Sequence, residues 1–276
     1  MDYKIIVDSC CDLTEEQRKE MGVISVPLNM VLGDEVFVDD DSLDLPDYME
    51  KMHKYKGRIG SACPTPEMYR QAFVDAKKSF AVTLSNNLSG SYSSAVMGKR
   101  AAEDDGAETH VFDSKSASAG EVLIVFKIRK LLAEGMARLK IIQTVENFIR
   151  EMKTYFVLDN IDNLLKNGRL NRIKGSIIQV LNIKPIMGSD GDGNIALYSK
   201  ARGQNQIIET MADTIKKSGR ETKGQDMVIA HCNNQSLAEK LSNVIKSRYN
   251  FANILIVRTR GISSMYANIG GVIMAF

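Results

Sequence analysis

A serine-rich segment at residues 85–95, Ser-Asn-Asn-Leu-Ser-Gly-Ser-Tyr-Ser-Ser-Ala, offers the residue types and spacing that best suit chemistry. It follows an apolar run at 80–84 that predicts a buried strand, and its Ser, Gly and Ala residues can begin a helix. A helix that starts here presents backbone N–H groups without internal partners, together with hydroxyls, at one point. Because the helix dipole is positive there, this point suits an anion. An ordinary strand–helix connection with a Ser cap is the alternative.

Other kinds of chemistry require patterns that the sequence lacks. No Walker loop, Gly-x-Gly-x-x-Gly turn or Gly-x-Ser-x-Gly elbow occurs, so ATP binding, dinucleotide binding and α/β-hydrolase catalysis are unsupported. The histidines and cysteines show no metal-ligand spacing; they are His53, His110, His231, Cys10, Cys11, Cys63 and Cys232. Three aspartates at 39–41 are interpreted as a solvated acidic patch rather than a cation site. We predict no catalytic residue, no cofactor and no metal.

Size and composition are typical of a soluble globular protein. The chain has 276 residues, enough for two domains, and 44% of them are hydrophobic while 25% are charged. A net charge of +2 provides no basic excess for nucleic acid. The apolar run at 5–7 is too short for a signal peptide, and no run approaches the roughly 20 apolar residues of a membrane span. We therefore expect a cytoplasmic protein.

The first half of the chain alternates strand and helix patterns. Strands are predicted at 3–7, 23–28, 80–84 and 110–112, and helices at 14–21, 45–53, 65–78, 118–134 and 139–152. This alternation predicts a mostly parallel sheet with helices on both faces. Ligands bind such sheets beyond the carboxyl ends of the strands. We expect three serine-containing segments to converge there, namely Ser9, residues 61–65 and residues 85–91.

The second half mixes helices with a sheet that contains at least one antiparallel hairpin. Runs at 182–187 and 194–198 flank a turn rich in Asp and Gly at 188–193. Further strands are predicted at 155–158, 227–231, 253–257 and 272–276, and helices at 160–166, 204–217 and 235–248. The predicted fold class is therefore α/β, with one α/β domain at 1–153 and a second at 154–276.

Seven short segments follow one another in a characteristic order. They are Val-Asp-Ser-Cys-Cys-Asp-Leu at 7–13, Ser-Ala-Cys-Pro-Thr-Pro at 61–66, the serine-rich segment at 85–95, Phe-Asp-Ser-Lys-Ser at 112–116, Leu-Leu-Lys-Asn-Gly-Arg-Leu at 164–170, Ile-Lys-Pro-Ile at 183–186 and Arg-Gly at 202–203. Each is a weak signal alone. Together they resemble the segments of the bacterial DegV family of fatty-acid-binding proteins, and the resemblance extends from residue 4 to the C-terminus.

This resemblance implies a two-domain α/β protein that holds a long-chain fatty acid in a buried pocket. The residues that it implies for the carboxylate, at a helix N-terminus, are Ser61, Ser89, Gly90 and Tyr266. Some members of the family present the acyl chain to a separate ATP-dependent fatty acid kinase, which phosphorylates the carboxyl group. Arg169 and Arg202 match positions that the resemblance places at the kinase-binding surface. By resemblance the protein is therefore a lipid-binding protein and not an enzyme.

Two positions depart from the family pattern. Ser61 stands where the family usually has Thr, so the hydroxyl is kept and a methyl group is lost. Tyr266 stands where the family has His, and a phenol can donate one hydrogen bond but is neutral near pH 7. One alternative function is therefore a carrier of a different lipid-like anion. Another is a small-molecule phosphotransfer or hydrolytic enzyme, because the family's fold resembles that of dihydroxyacetone-kinase domains.

Overall fold

The computed structural model describes residues 3–173, 175 and 183–276. Its strands are β1 (Lys4–Asp8), β2 (Val23–Val26), β3 (Asn29–Leu32), β4 (Glu35–Val38), β5 (Ile59–Ala62), β6 (Lys78–Thr83), β7 (Glu108–Asp113), β8 (Thr154–Val157), β9 (Ile183–Ser189), β10 (Ile195–Arg202), β11 (Asp226–His231), β12 (Asn253–Arg258) and β13 (Val272–Ala275). Its helices are α1 (Glu15–Met21), α2 (Leu45–Lys54), α3 (Pro66–Ala76), α4 (Ser91–Asp104), α5 (Ala119–Ala133), α6 (Arg138–Glu151), α7 (Asp162–Lys166), α8 (Gly203–Ser218), α9 (Gln235–Arg248) and α10 (Gly261–Ala267). Within this part of the chain, no helix is both long and apolar enough to cross a membrane.

The described strands form three sheets. The first has the order β2-β1-β6-β7, and all of its strands are parallel. The second is a small antiparallel sheet of order β4-β3-β5. The third has the order β10-β9-β8-β13-β11-β12 and is mixed, because β11 and β12 pair in parallel while its other neighbours are antiparallel. The predicted hairpin is the β9–β10 pair of this mixed sheet.

Local sequence signals set the starts of two helices. Thr14 Oγ1 accepts a hydrogen bond from the Gln17 amide at 3.2 Å, and Gln17 Oε1 accepts one from the Thr14 amide at 2.9 Å. This reciprocal pair is a capping box that opens α1. Pro66 is the first residue of α3, and the Thr65 hydroxyl before it accepts from the Met68 amide. Both helix starts confirm the sequence-based prediction.

Helix α5 lies at the centre of the molecule. It contacts β1 and β6 of the parallel sheet on one side and β11 and β13 of the mixed sheet on the other. Since both sides are covered, the first two turns of α5 are apolar nearly all round, and residues 119–125 are all buried. One hydrophobic core therefore includes residues of both predicted domains. The domain boundary at 153 stays a prediction.

The α/β fold class is confirmed, with a parallel sheet in the first half of the chain and a mixed sheet in the second. Sequence reasoning misses the β4-β3-β5 sheet, whose strands have only four residues each and show no long alternation. It also misses α10, whose sequence Gly-Ile-Ser-Ser-Met-Tyr-Ala begins with residues that favour loops and turns. The predicted run at 182–187 begins at a residue that lies outside the described part of the chain.

Candidate functional site

A cavity of about 130 Å³ is lined by segments that follow β1 and β6, by the mixed sheet and by α10. One water molecule needs only about 10–15 Å³, so this space is larger than a packing defect. Its large apolar side chains are Leu28, Leu84, Leu88, Phe156, Leu158, Leu164, Ile195, Ile262 and Ile273. Its polar and charged side chains are Ser61, Ser89, Lys115, Ser116, Ser118, Thr154, Arg169, Ser189, Asn194, Ser263 and Tyr266. Such a lining suits a molecule with an extended apolar part and one polar group.

Four of the six residues that the resemblance singles out line this cavity: Ser61, Ser89, Arg169 and Tyr266. Gly90 and Arg202 are exposed and lie outside the lining. Ser9, which is predicted to converge with these serines, also lies outside it; its hydroxyl accepts a hydrogen bond from the Leu28 amide at 3.0 Å. The expected convergence therefore holds for two of the three serine segments.

Ser61 and Tyr266 meet across 205 residues of sequence. Ser61 lies on β5 of the small antiparallel sheet, Tyr266 lies on α10, and their hydroxyl oxygens are 2.9 Å apart. Two hydroxyls that share one hydrogen bond use one of their two protons for it. The other proton is free to be donated to a ligand oxygen in the cavity.

Ser89 lies directly before Gly90, the N-cap residue of α4. Its Oγ accepts a hydrogen bond from the Ser91 amide at 3.2 Å, which satisfies one of the first amide groups of the helix. The Ser89 O–H proton is not used in that contact and can be donated to an anion. Since the positive end of the α4 dipole lies here, the Ser89 hydroxyl is favourably placed for a carboxylate.

Arg169 supplies a positive charge to the same wall. Its Nε donates to the Leu88 carbonyl at 3.1 Å, its Nη1 donates to the Asn167 carbonyl, and its guanidinium lies 5.8 Å from the centre of the Tyr266 ring. Among the described residues, Nη2 has no hydrogen-bond partner. Sequence reasoning assigns Arg169 to a partner surface; the structure places it in the cavity lining, next to a predicted carboxylate-binding residue.

Asp8, at the end of β1, holds the loop between β6 and α4. Its carboxylate accepts hydrogen bonds from the Leu84 amide at 2.9 Å, the Ser91 hydroxyl at 2.6 Å and the Cys10 amide at 3.1 Å. Burial raises the pKa of Asp8 to about 6, although the bonds from Ser91 and Leu84 favour its charged form. The Ser91 hydroxyl also pairs with the Tyr69 hydroxyl at 2.7 Å. The hydrogen bonds of this buried polar network therefore hold the loop that carries Ser89 in place.

Asp39 accepts hydrogen bonds from the start of α10, and its burial contradicts one prediction. The interpretation of residues 39–41 as a solvated patch is wrong for Asp39, which is 1% exposed. Its two carboxylate oxygens accept from the Gly261 amide at 3.1 Å and the Ile262 amide at 2.9 Å, at the start of α10. A Cβ at Gly261 would overlap Asp39 Oδ1, so this approach requires glycine. Burial raises the pKa of Asp39, while the Ile262 amide bond favours the carboxylate.

The β9–β10 hairpin forms another part of the cavity wall. The Ser85 hydroxyl donates to the Gly193 carbonyl at 2.8 Å, and the Ser189 hydroxyl donates to the Lys115 carbonyl at 2.9 Å. These contacts attach the hairpin of the mixed sheet to loops of the parallel sheet. Both acceptors are main-chain carbonyls, which every residue has, so the sequence carries no signal for this pairing.

The described cavity lining contains no serine–histidine pair. A serine nucleophile needs a base within hydrogen-bond reach. No histidine lines the described cavity, and the Ser118 hydroxyl donates to the buried carboxylate of Asp12. The other serine hydroxyls of the lining pair with amides, main-chain carbonyls, hydroxyls or the Cys10 sulfur. The donors Ser89, Ser61–Tyr266 and Arg169 instead offer protons and charge to a carboxylate, beside an apolar space.

Relatives match the chain over its full length. A DegV domain-containing protein of Streptococcus pneumoniae strain R6 is 36% identical over 280 residues, covering 100% of this chain and 99% of the relative. A DegV domain-containing protein of Streptococcus pyogenes serotype M1 is 35% identical with the same coverage. The family model described as an uncharacterised protein of the DegV family matches residues 2–275.

Solved structures share the fold. A DegV family protein of Ruminococcus gnavus, refined with vaccenic acid, has a TM-score of 0.95 and 41% identity and covers all of both chains. The fatty acid kinase B3 protein of S. pneumoniae, loaded with linoleic acid, has a TM-score of 0.93 and 36% identity, covering 100% of this chain and 99% of that one. A DegV family protein of Eubacterium eligens loaded with heptadecanoic acid has a TM-score of 0.92 and 27% identity, covering 99% and 98%. The chain described here belongs to the DegV family.

Proposed function

We propose that this protein binds a long-chain fatty acid, with the carboxylate at Ser89, Arg169 and the Ser61–Tyr266 pair. The observation that carries the proposal is the grouping of these donors on the wall of an otherwise largely apolar cavity. Family relatives at 41%, 36% and 27% identity carry vaccenic, linoleic and heptadecanoic acid, which supports the same ligand class for this chain.

The two parts of such a ligand contribute in different ways. Each buried methylene is worth about 0.8 kcal/mol, so an acyl chain of ~14 methylenes supplies on the order of 11 kcal/mol before the costs of binding. The acyl chain therefore provides affinity. The carboxylate would lose affinity if it were buried without partners, and the hydroxyls, the guanidinium and the α4 N-terminus provide them. These groups therefore set the orientation of the ligand.

We also propose that the protein presents this fatty acid to a separate ATP-dependent fatty acid kinase. The S. pneumoniae relative that is named as a fatty acid kinase protein supports this role. Arg202, at the end of β10, is exposed, and Arg169 is partly exposed while it lines the cavity. The exposed Arg202 is suited to contact an anionic surface of the partner. Arg169, beside the proposed carboxylate site, is suited to contact a phosphoryl group.

The ligand is identified by native mass spectrometry of the purified protein, followed by denaturing extraction and lipid analysis. We expect one long-chain fatty acid per chain. For Ser89→Ala we expect about tenfold weaker binding of oleate, because a charge-assisted hydrogen bond is lost. Ser93→Ala is the matched control, since Ser93 is exposed in the first turn of α4 and lies outside the cavity lining. A protein that carries no lipid and refuses oleate and palmitate contradicts the proposal and favours a different anion.

The kinase role is tested by ATP-dependent acyl-phosphate formation with a purified bacterial fatty acid kinase. We expect Arg202→Ala to bind oleate normally and to lower the rate of phosphorylation about tenfold or more. Lys246→Ala, an exposed cation on α9, is the control. A wild-type rate for Arg202→Ala removes Arg202 from the partner surface, and turnover without any added kinase favours the enzyme alternative.

A further inference from the structure

A buried acid lies below the loop that carries Ser89. Glu121, in the first turn of α5, has no exposed surface, and neither of its carboxyl oxygens has a hydrogen-bond partner among the described residues. An oxygen of Glu121, an oxygen of Asp8 and the sulfur of Cys10 lie within 4.8 Å of one another. Two carboxyl groups therefore face each other in the core.

No cation in the described part of the chain balances these carboxyls. Neither Asp8 nor Glu121 lies within ion-pair distance of a Lys, Arg or His there. An isolated buried carboxylate costs several kcal/mol or more, so one of the two acids has to be neutral. Asp8 already accepts three hydrogen bonds that favour its charged form, whereas Glu121 accepts none. The proton therefore belongs on Glu121.

A protonated carboxyl group has one O–H donor that needs an acceptor. An oxygen of the Asp8 carboxylate lies within 4.8 Å of a Glu121 oxygen, and Asp8 has capacity left because a carboxylate accepts about four hydrogen bonds. We propose that Glu121 shares a proton with Asp8 and so positions the loop from Leu84 to Ser91 for ligand binding. Glu121 is then a positioning residue, and its effect on affinity rests on the proposed fatty-acid binding.

Only a few hydrogen bonds connect the Glu121–Asp8 pair with Ser89 at the proposed ligand site. Asp8 fixes the Leu84 amide and the Ser91 hydroxyl, and the Ser91 amide is bonded to the Ser89 oxygen. A second negative charge at Glu121 would repel Asp8 and loosen these contacts. The titratable groups around the pair are Cys10, Cys11, Asp12 and Tyr69, and none of them is a Lys, Arg or His.

The pH dependence follows from the burial of the pair. Burial raises the pKa of Glu121 well above its ordinary range, and the nearby Asp8 charge acts in the same direction. In the unfolded chain Glu121 ionises in the ordinary range, so its contribution to stability is present at low pH and is lost as pH rises. Ionisation of Glu121 in the native pair at high pH weakens the hydrogen bonds by which Asp8 keeps the loop in place.

Three variants and the wild type are compared by oleate titration between pH 7 and pH 9, above the pKa of Asp8. Glu121→Gln keeps a donor for Asp8 but cannot ionise, so we expect affinity within about twofold of wild type at pH 7 and no loss at pH 9. Glu121→Leu keeps the volume without the donor, and we expect at least tenfold weaker binding in a folded protein. Asp8→Asn with Glu121 intact is expected to bind at least tenfold more weakly. Wild-type affinity of Glu121→Leu with an unchanged pH profile overturns the positioning role.

A second measurement does not depend on the ligand. Infrared spectroscopy of the apoprotein at pH 7 is expected to show the C=O stretch of a buried protonated carboxylic acid in the wild type and its loss in Glu121→Gln. An identical band in both proteins, or a stoichiometric divalent metal found by elemental analysis of the wild type, overturns the shared proton. If the wild type binds no oleate but the band behaves as expected, the fatty-acid proposal fails while the proton assignment stands.

Discussion

The N-terminal ends of α4 and α10 are close to the same cavity, but their first amides have different hydrogen-bond acceptors. At α4, the Ser89 hydroxyl accepts from one amide and keeps its own proton for another partner. At α10, the buried carboxylate of Asp39 accepts from two successive amides, of Gly261 and Ile262. The acceptor at the start of α4 is thus a neutral hydroxyl, whereas the acceptor at the start of α10 carries a full negative charge.

This difference separates a binding function from a structural one. A carboxylate at the α10 terminus neutralises the positive end of the dipole, so a ligand anion gains little there. A hydroxyl at the α4 terminus leaves the dipole available, and Arg169 adds a charge beside it. This difference supports the proposal that the ligand carboxylate lies at α4, while Asp39 keeps α10, and with it Tyr266, in position.

The largest effect is expected when the α10 cap is removed. Asp39→Ala leaves two buried amides without acceptors, and we expect the free energy of unfolding to fall by about 3 kcal/mol. Urea denaturation measures the loss. Asp34→Ala, an exposed aspartate in the β3–β4 turn, is the control and is expected to change stability by less than about 0.5 kcal/mol. Equal stability of both variants would show that Asp39 does not hold α10.

The next effect comes from placing a carboxylate before α4, as Asp39 places one at α10. Ser89→Asp keeps an acceptor for the Ser91 amide but places a negative charge where the ligand carboxylate is proposed to bind. We expect about 30-fold weaker oleate binding, or about 2 kcal/mol, with stability within about 1 kcal/mol of wild type. Ser89→Asn, a neutral cap that can still donate, is the control and should bind more tightly than Ser89→Asp. If the charged variant binds as well as the neutral one, the carboxylate lies elsewhere.

The smallest effect is expected for the phenol on α10. Tyr266→Phe removes the hydrogen bond to Ser61 and one donor from the cavity, while the ring can still contact Arg169. We expect a loss of about 1 kcal/mol in oleate affinity, or roughly fivefold, measured by calorimetric titration. Tyr55→Phe removes a partly exposed phenol outside the cavity lining and serves as control. If Tyr266→Phe loses more oleate affinity than Ser89→Asp, then α10 contributes more to ligand binding than α4.

Part of the site can be predicted from the sequence because its residues are neighbours in the chain. The apolar run at 80–84, the serines after it and the small residues that begin α4 are neighbours in the chain, so their pattern predicts a strand, a cap and a helix. The capping box of α1 and Pro66 at the start of α3 are local in the same sense. The ordered segments also indicate the family, and with it Ser61, Ser89, Arg169 and Tyr266 as residues to place.

Only the tertiary structure decided which groups are buried and which of them meet. Asp39 reaches α10 across 223 residues, and Ser61 reaches Tyr266 across 205. The sequence favours a solvated Asp39 because charged residues in a row are usually exposed; packing against a glycine at the start of α10 makes it a buried cap. Glu121 lies in a run of apolar residues, yet only the sheets on both sides of α5 remove it from water. Burial, and the charge state that follows from it, depends on what packs around a side chain and not on its neighbours in sequence.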